Sequence, residues 1–209
     1  MKTIYFVRHG QSEANSKEVL VGKDGPLSEL GLVQAQTMSD RFAHLQIDKL
    51  FASDFLRAQQ TATPISKLKT LPITVESVFG EFLEPSDFFG QAEDADEVLA
   101  YRLERNKKVE LEPTWTHGDG ETVAGFMDRI NQAKVLLETS DGATLAVVSH
   151  AYFITSFVAA ILLQTNIPSK EWFSVLSTLR LTNTGISVLT FKDGVWRVLT
   201  FNDRAHFAE

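Results

Sequence analysis

The chain has 209 residues, 44% hydrophobic and 22% charged, a balance that excludes disordered, collagen-like and low-complexity classes and suits one folded domain. Twenty Lys and Arg against 27 Asp and Glu leave a formal charge of −7, so no basic footprint marks it for nucleic acid or an anionic membrane. The absence of cysteine removes disulfides, thiolate metal sites and a cysteine nucleophile.

Residues 4–7 form a short apolar run that stops at Arg8-His9; they predict a buried strand and are too few for a signal-peptide core. A helix beginning near Ser12 or Glu13 would offer free N–H groups to an anion. Ser28 is a candidate N-cap for a helix over 28–45, carried by Leu30, Val33, Met38, Phe42 and Leu45. Residues 50–53 read as a second strand, 55–68 as a helix and, after Pro72, 73–78 as a third strand. Segment 80–118, with Pro85, Pro113 and an acidic run at 93–97, is an insertion or lid of the same domain. Val123, Phe126, Ile130, Val135 and Leu137 mark a helix over 121–138, and the Asp141-Gly142 turn leads to a strand at 145–148. The apolar stretch 151–163 is a buried helix, too short to span a bilayer. Runs 186–191 and 195–201 flank Lys192-Asp193-Gly194 as a hairpin. This order predicts a three-layer α/β fold: a mainly parallel sheet, one antiparallel edge strand, and helices on both faces. A cytoplasmic setting with no membrane partner is expected.

In such a sheet, ligands bind beyond the carboxyl ends of the strands. The first tip carries Arg8-His9-Gly10, where Gly10 lets the backbone approach a ligand closely. The second carries Ser53-Asp54-Phe55-Leu56-Arg57, with Arg57 in the first turn of a helix, where a cation opposes the helix dipole. A bound anion would explain that placement; so would pairing with Asp54. The third carries Ser149-His150-Ala151, and an imidazole there needs a hydrogen bond from ligand or backbone. Each tip alone has a packing explanation. Together, Arg8, His9, Arg57 and His150 on one face suit a tetrahedral dianion, so the expected ligand is a small phosphorylated substrate. With its far nitrogen held by a backbone carbonyl, His9 would present a lone pair to phosphorus, while Arg8, Arg57 and a protonated His150 hold the phosphoryl oxygens. The leaving alkoxide needs a proton donor; Glu81 is the first candidate, with Glu84 and Asp87 competing. His9, His44, His117, His150 and His206 lack short ligand spacing, so no metal is expected; His44, His117 and His206 read as surface or structural.

With these tips, Leu27-Ser28-Glu29-Leu30-Gly31 followed by Gln34-Ala35, and Gly120-Glu121-Thr122, the chain resembles the histidine phosphatase superfamily in its phosphoglycerate mutase-like branch, over nearly its whole length. The resemblance implies a metal-independent phosphatase or mutase that needs no cofactor. It implies His9 as nucleophile, Arg8, Arg57 and His150 as phosphate pocket, and Asn15 as a further phosphate or substrate contact. Gly10, Gln11 and Ala151 complete the expected substrate-binding set; Ala151 stands where the family often has glycine and keeps the backbone N–H. Residues 80–90 match the family's Glu-containing loop only loosely. Because 80–112 is acid-rich, with only Arg102, Arg105, Lys107 and Lys108 as cations, hydrolysis of small phosphorylated metabolites is favoured. The alternatives are a bisphosphoglycerate-dependent phosphoglycerate mutase and a catalytically weak phosphate-binding module. Phe82, Phe88 and Phe89 hint at a substrate with a hydrophobic portion, at least one of them being needed for the core.

Overall fold

The computed structural model describes residues 1–164 and 169–207. Strands β1 (Lys2–Arg8), β2 (Lys49–Ala52), β3 (Ile73–Val75), β4 (Thr144–Ser149), β5 (Ile186–Lys192) and β6 (Val195–Asp203) form one sheet in the order β3-β2-β4-β1-β5-β6. The helices are α1 (Glu13–Lys17), α2 (Glu29–Ser39), α3 (Leu56–Lys69), α4 (Asp96–Lys108), α5 (Val123–Thr139), α6 (Ala151–Leu163) and α7 (Lys170–Thr178). Strands β1 to β4 pair in parallel, whereas β5 runs antiparallel to both β1 and β6. The single antiparallel edge expected from sequence is thus a two-strand hairpin, of which only β6 is the edge. Its loop is Asp193-Gly194, with φ of 52° and 77°, the double positive φ that reverses a chain in two residues.

Alternation along the strands builds the three layers. Ile4, Phe6, Leu145 and Val147 pack with Phe126 and Ile130 of α5 and Phe153 and Phe157 of α6. Val7, Leu50, Ala146 and Val148 pack with Met38 of α2 and Ala58, Ala62 and Ile65 of α3. Among the described residues, no helix is long and apolar enough to cross a membrane.

Three expectations need correction. The helix predicted over 28–45 ends at Ser39 and continues as a 3-10 turn, Asp40–Phe42. Its Leu30 and Val33 face solvent, while Gly31, Ala35 and Met38 face inward. The reason is a close approach: a Cβ on Gly31 would lie 1.9 Å from the Gln11 carbonyl oxygen, so a bulky stripe cannot be the packing face. Val135 of α5 is likewise exposed, because the row Phe126, Ile130, Ala133 and Leu137 takes the core side. The third strand stops at Val75, and a 3-10 turn, Ser77–Phe79, buries Phe79 in the core just before Glu81.

Helix α7, unanticipated in the sequence, is pinned by the fully buried Trp172 and capped by the Ser169 hydroxyl, which accepts from the Trp172 N–H. Within 80–118 lie a 3-10 turn, Ser86–Phe88, and α4; Phe82 and Phe88 are buried and Phe89 is exposed.

Replacing Gly31→Ala should destabilise the fold by about 1–3 kcal/mol, the range for overpacking a close contact. Urea unfolding would show a lowered midpoint with an unchanged slope; an unchanged midpoint would mean that the α2 contact yields freely.

Candidate active site

Parallel pairing brings the strand tips level. Arg8 lies in register with Ser149, the His9 N–H donates to the Ser149 carbonyl at 2.9 Å, and the Ser53 N–H donates to the Val148 carbonyl at 3.1 Å. Three chain segments far apart in sequence therefore turn off the sheet side by side. His9 and His150 lie with ring centroids 5.0 Å apart.

The His9 Nδ1 faces the Gly10 carbonyl at 2.7 Å. A carbonyl only accepts, so Nδ1 carries the hydrogen and Nε2 holds the lone pair. The Arg57 Nε–H donates to that Nε2 at 3.3 Å, and its Nη1 donates to the Gly22 carbonyl at 3.0 Å. The Arg57 guanidinium lies 4.7 Å from the Phe55 ring centre. Asp54 pairs with Lys23 instead, which removes the Arg57–Asp54 alternative. Arg8 donates from Nη1 to the Leu181 carbonyl at 2.6 Å, while its Nε is buried with no partner among the described residues.

His150 is fully buried, its Nε2 lying 2.7 Å from the Ser53 Oγ. That hydroxyl also accepts from the Phe55 N–H at 3.3 Å, which leaves it one further lone pair and its own hydrogen, so the contact with Nε2 suits either tautomer of the ring. This Nδ1 is buried with no partner among the described residues.

Burial, followed by the Arg57 and Arg8 charges, holds His9 well below the ordinary histidine range. Burial holds His150 well below it too, with Arg57, His9, Arg8 and Arg129 adding to the effect. The expectation of a protonated His150 is therefore corrected for the free site, where the imidazole is neutral. Desolvation lowers Arg57 to about 10, so it keeps its charge at neutral pH.

Glu81 follows the buried Phe79 turn and reaches the start of α6. Its Oε1 accepts from the N–H groups of Phe82 at 3.1 Å and Phe153 at 3.0 Å, and its Oε2 from Tyr152 at 3.2 Å. Desolvation raises its pKa, outweighing those N–H groups and the charges of Arg57 and Arg8. Glu84 sits in an ion pair with Arg102 at 3.0 Å and another with Arg105 at 3.5 Å, and Asp87 is largely exposed beside His117. Glu81, raised by burial and lining the cleft with His9 and Arg57, stays the proton-donor candidate.

Arg8, His9, Asn15, Arg57, Glu81 and Ala151 line one cleft of about 880 Å³. Gly10 and Gln11 have another use. The Gly10 N–H donates to the Thr61 Oγ1 at 3.0 Å, and a Cβ there would meet the Gly31 carbonyl at 2.5 Å, so its close approach is to α2 rather than to a ligand. Gln11 is bonded to Ser28 and Gln34. The N-terminus of α1 offers less than expected: the Glu13 N–H goes to the Pro26 carbonyl and the Asn15 N–H to the Ser12 Oγ.

Residues not singled out in the sequence hold this arrangement. Asn183 donates to the His9 carbonyl at 3.0 Å and to the Asn15 Oδ1 at 3.4 Å. Since β5 runs antiparallel to β1, the polar turn before it lies at the β1 tip. Arg129 donates to the carbonyls of Gly80 and Glu81 at 2.7 and 3.0 Å and forms a two-pronged pair with Glu121, at 2.9 and 2.7 Å. It clamps the backbone on which Glu81 is mounted.

A family model described as the histidine phosphatase superfamily (branch 1) matches residues 4–204. The chain belongs to this superfamily. A provisionally named phosphoserine phosphatase 2 of Hydrogenobacter thermophilus is 31% identical over 156 residues, covering 72% of this chain and 73% of its own length. A provisionally named phosphoglycerate mutase, GpmB, of Citrobacter koseri is 28% identical over 201 residues, covering 94% and 88%. Among solved structures, a phosphoserine phosphatase from Entamoeba histolytica aligns with a TM-score of 0.79 at 21% identity, covering 99% of this chain and 100% of the other, which bears on the fold alone. This histidine phosphatase is accordingly an enzyme of the phosphatase type.

Both site histidines have folded-state pKa values depressed below the ordinary 6.5, so between those values and 6.5 the unfolded chain binds more protons. The stability they contribute is complete above about pH 6.5 and declines as pH falls, by up to about 1.4 kcal/mol per pH unit for each ring. Denaturant unfolding between pH 7 and 5 should show this decline, and a His9→Asn, His150→Asn double variant should flatten it; equal slopes in both proteins would contradict the neutral assignment.

Proposed function

We propose that this histidine phosphatase hydrolyses phosphate monoesters of small metabolites through a phosphohistidine formed on His9, with no metal ion. The observation that carries the reading is the fixed tautomer of His9: Nδ1–H is tied to the Gly10 carbonyl and the Nε2 lone pair faces Arg57. A neutral imidazole aimed in this way is a nucleophile at neutral pH without prior loss of a proton.

The phosphoryl oxygens take the Arg8 and Arg57 guanidiniums and, in the tautomer with Ser53 donating to Nε2, the His150 Nδ1–H, groups mounted before the reaction starts. The His9 Nε2 forms a bond to phosphorus as the phosphorus–oxygen ester bond breaks. The electron pair leaves on the alcohol oxygen, which takes the proton from the Glu81 carboxyl. Water then attacks the phosphohistidine, the Glu81 carboxylate accepts its proton, and the phosphorus–nitrogen bond breaks to return neutral His9 and phosphate. The raised pKa of Glu81 favours the protonated form that the first step uses, and a phosphate dianion beside it acts in the same direction. Asn15 and Ala151 line the same cleft, which supports the reading of both as substrate contacts. The route uses no metal at any step, so chelation should leave the rate unchanged.

The similarity to GpmB favours a second reading, transfer of the phosphoryl group to another hydroxyl of a phosphoglycerate. A bisphosphoglycerate primer separates the two: isomerisation that depends on the primer supports the mutase, and hydrolysis indifferent to it supports the phosphatase.

His9→Ala should abolish turnover. Glu81→Gln should slow alkyl phosphates by about 100-fold or more while p-nitrophenyl phosphate, whose leaving group needs no proton, loses far less. Equal losses on both ester types would remove Glu81 as the proton donor.

A further inference from the structure

Beyond the phosphate end, the cleft is wide. Its volume of about 880 Å³ lies toward the upper end of the roughly 300–1,000 Å³ typical of pockets that enclose drug-sized ligands. Phe173, Leu176 and Leu179 contribute apolar surface from α7 and the segment after it, Val21 from the loop after α1, and Phe89 from 80–118. Among the described residues, the cations lining the cleft beyond the phosphate end are Arg102 and Arg105 on α4, and Arg180.

The first two are already engaged. Glu84, its side chain only 14% exposed, takes the Arg102 Nε on one oxygen at 3.0 Å and faces the Arg105 Nη1 with the other at 3.5 Å. Arg105 is buried, its guanidinium 4.8 Å from the Phe82 ring centre and 5.9 Å from that of Tyr152. Arg102 is held further by the Glu93 carbonyl at 3.3 Å. Arg180 is exposed, where water screens it.

We infer that Glu84 sets substrate choice: by occupying both α4 guanidiniums it selects phosphomonoesters with an uncharged, apolar organic portion over those carrying a second anion. A carboxylate or second phosphate reaching toward α4 meets a fixed negative charge. Displacing that charge would leave Glu84 desolvated and unpaired, so the bias is built as a penalty on the wrong substrate as well as a fit to the right one. An apolar group instead covers Phe89, Phe173 and Leu176 and disturbs no ion pair. The inference rests on the phosphomonoesterase reading and adds a substrate class to it.

Benzyl phosphate and 3-phosphoglycerate are both alkyl esters, so the departure of the alcohol is comparable and the difference reports on the distal cleft. The wild type should show kcat/KM higher for benzyl phosphate by about tenfold or more. In Glu84→Gln that ratio should fall by about tenfold or more through a gain on 3-phosphoglycerate, and adding Arg102→Gln should cancel the gain. A wild-type ratio of one or below overturns the inference without any variant, as does a Glu84→Gln protein that turns over p-nitrophenyl phosphate with the wild-type ratio retained. If the wild type hydrolyses neither ester nor p-nitrophenyl phosphate, the phosphatase reading fails and takes this inference with it; turnover with an inverted ratio overturns only the role of Glu84.

Discussion

Two guanidiniums and two imidazoles share a space from which most water is excluded, and this crowding of basic groups is the constraint on which the rest of the structure depends. Four positive charges could not persist there. The protein meets the difficulty by leaving the imidazoles neutral and giving each guanidinium a backbone carbonyl, Leu181 for Arg8 and Gly22 for Arg57. Neutrality also serves chemistry, because the condition that makes the cluster tolerable leaves a lone pair on the His9 Nε2. Within the fold the Glu81 carboxyl is the negative group acting on both guanidiniums, and the Arg8 Nε is buried without a partner among the described residues, a donor open to an incoming anion.

Glu81 joins the site to the scaffold. Its carboxyl group caps α6, the helix that begins immediately after His150, so the proton-donor candidate and the third strand tip are fixed to each other. Two tendencies compete at this group: the helix N-terminus and guanidiniums favour the anion, and desolvation favours the acid. Desolvation prevails, and the balance leaves the carboxyl able to give and take a proton. Arg129 and Glu121 fix the backbone beneath it, so that the carboxyl position does not depend on an otherwise irregular segment.

The strand tips were legible in the sequence because each parallel strand ends in an abrupt change from apolar to polar residues, and parallel pairing makes such ends coincide. Arg57 was legible because a cation in the first turn of a helix is out of place. Gly10 was misread: a glycine signals a close approach but not its partner, and the partner, Gly31, lies in a different element. Leu30 and Val33 misled for a related reason, since apolar spacing marks a possible stripe while the Gln11–Gly31 contact chooses the actual one. The charge of His150 could not be read locally, being set by burial first and then by groups from the other two tips and α5. Helix α7 escaped notice because it is only nine residues long, although Trp172, Phe173, Val175 and Leu176 gather on one side of it and the fully buried Trp172 anchors it.

The most direct test of the nucleophile is rapid quenching, into base, of the enzyme mixed with a ³²P-labelled monoester, followed by peptide mapping across the pre-steady-state period. Labelled phosphate that is stable in base, lost in acid and confined to the peptide carrying His9 is the expected result. Label on another side chain, or turnover with no labelled protein at any time point, would contradict the account.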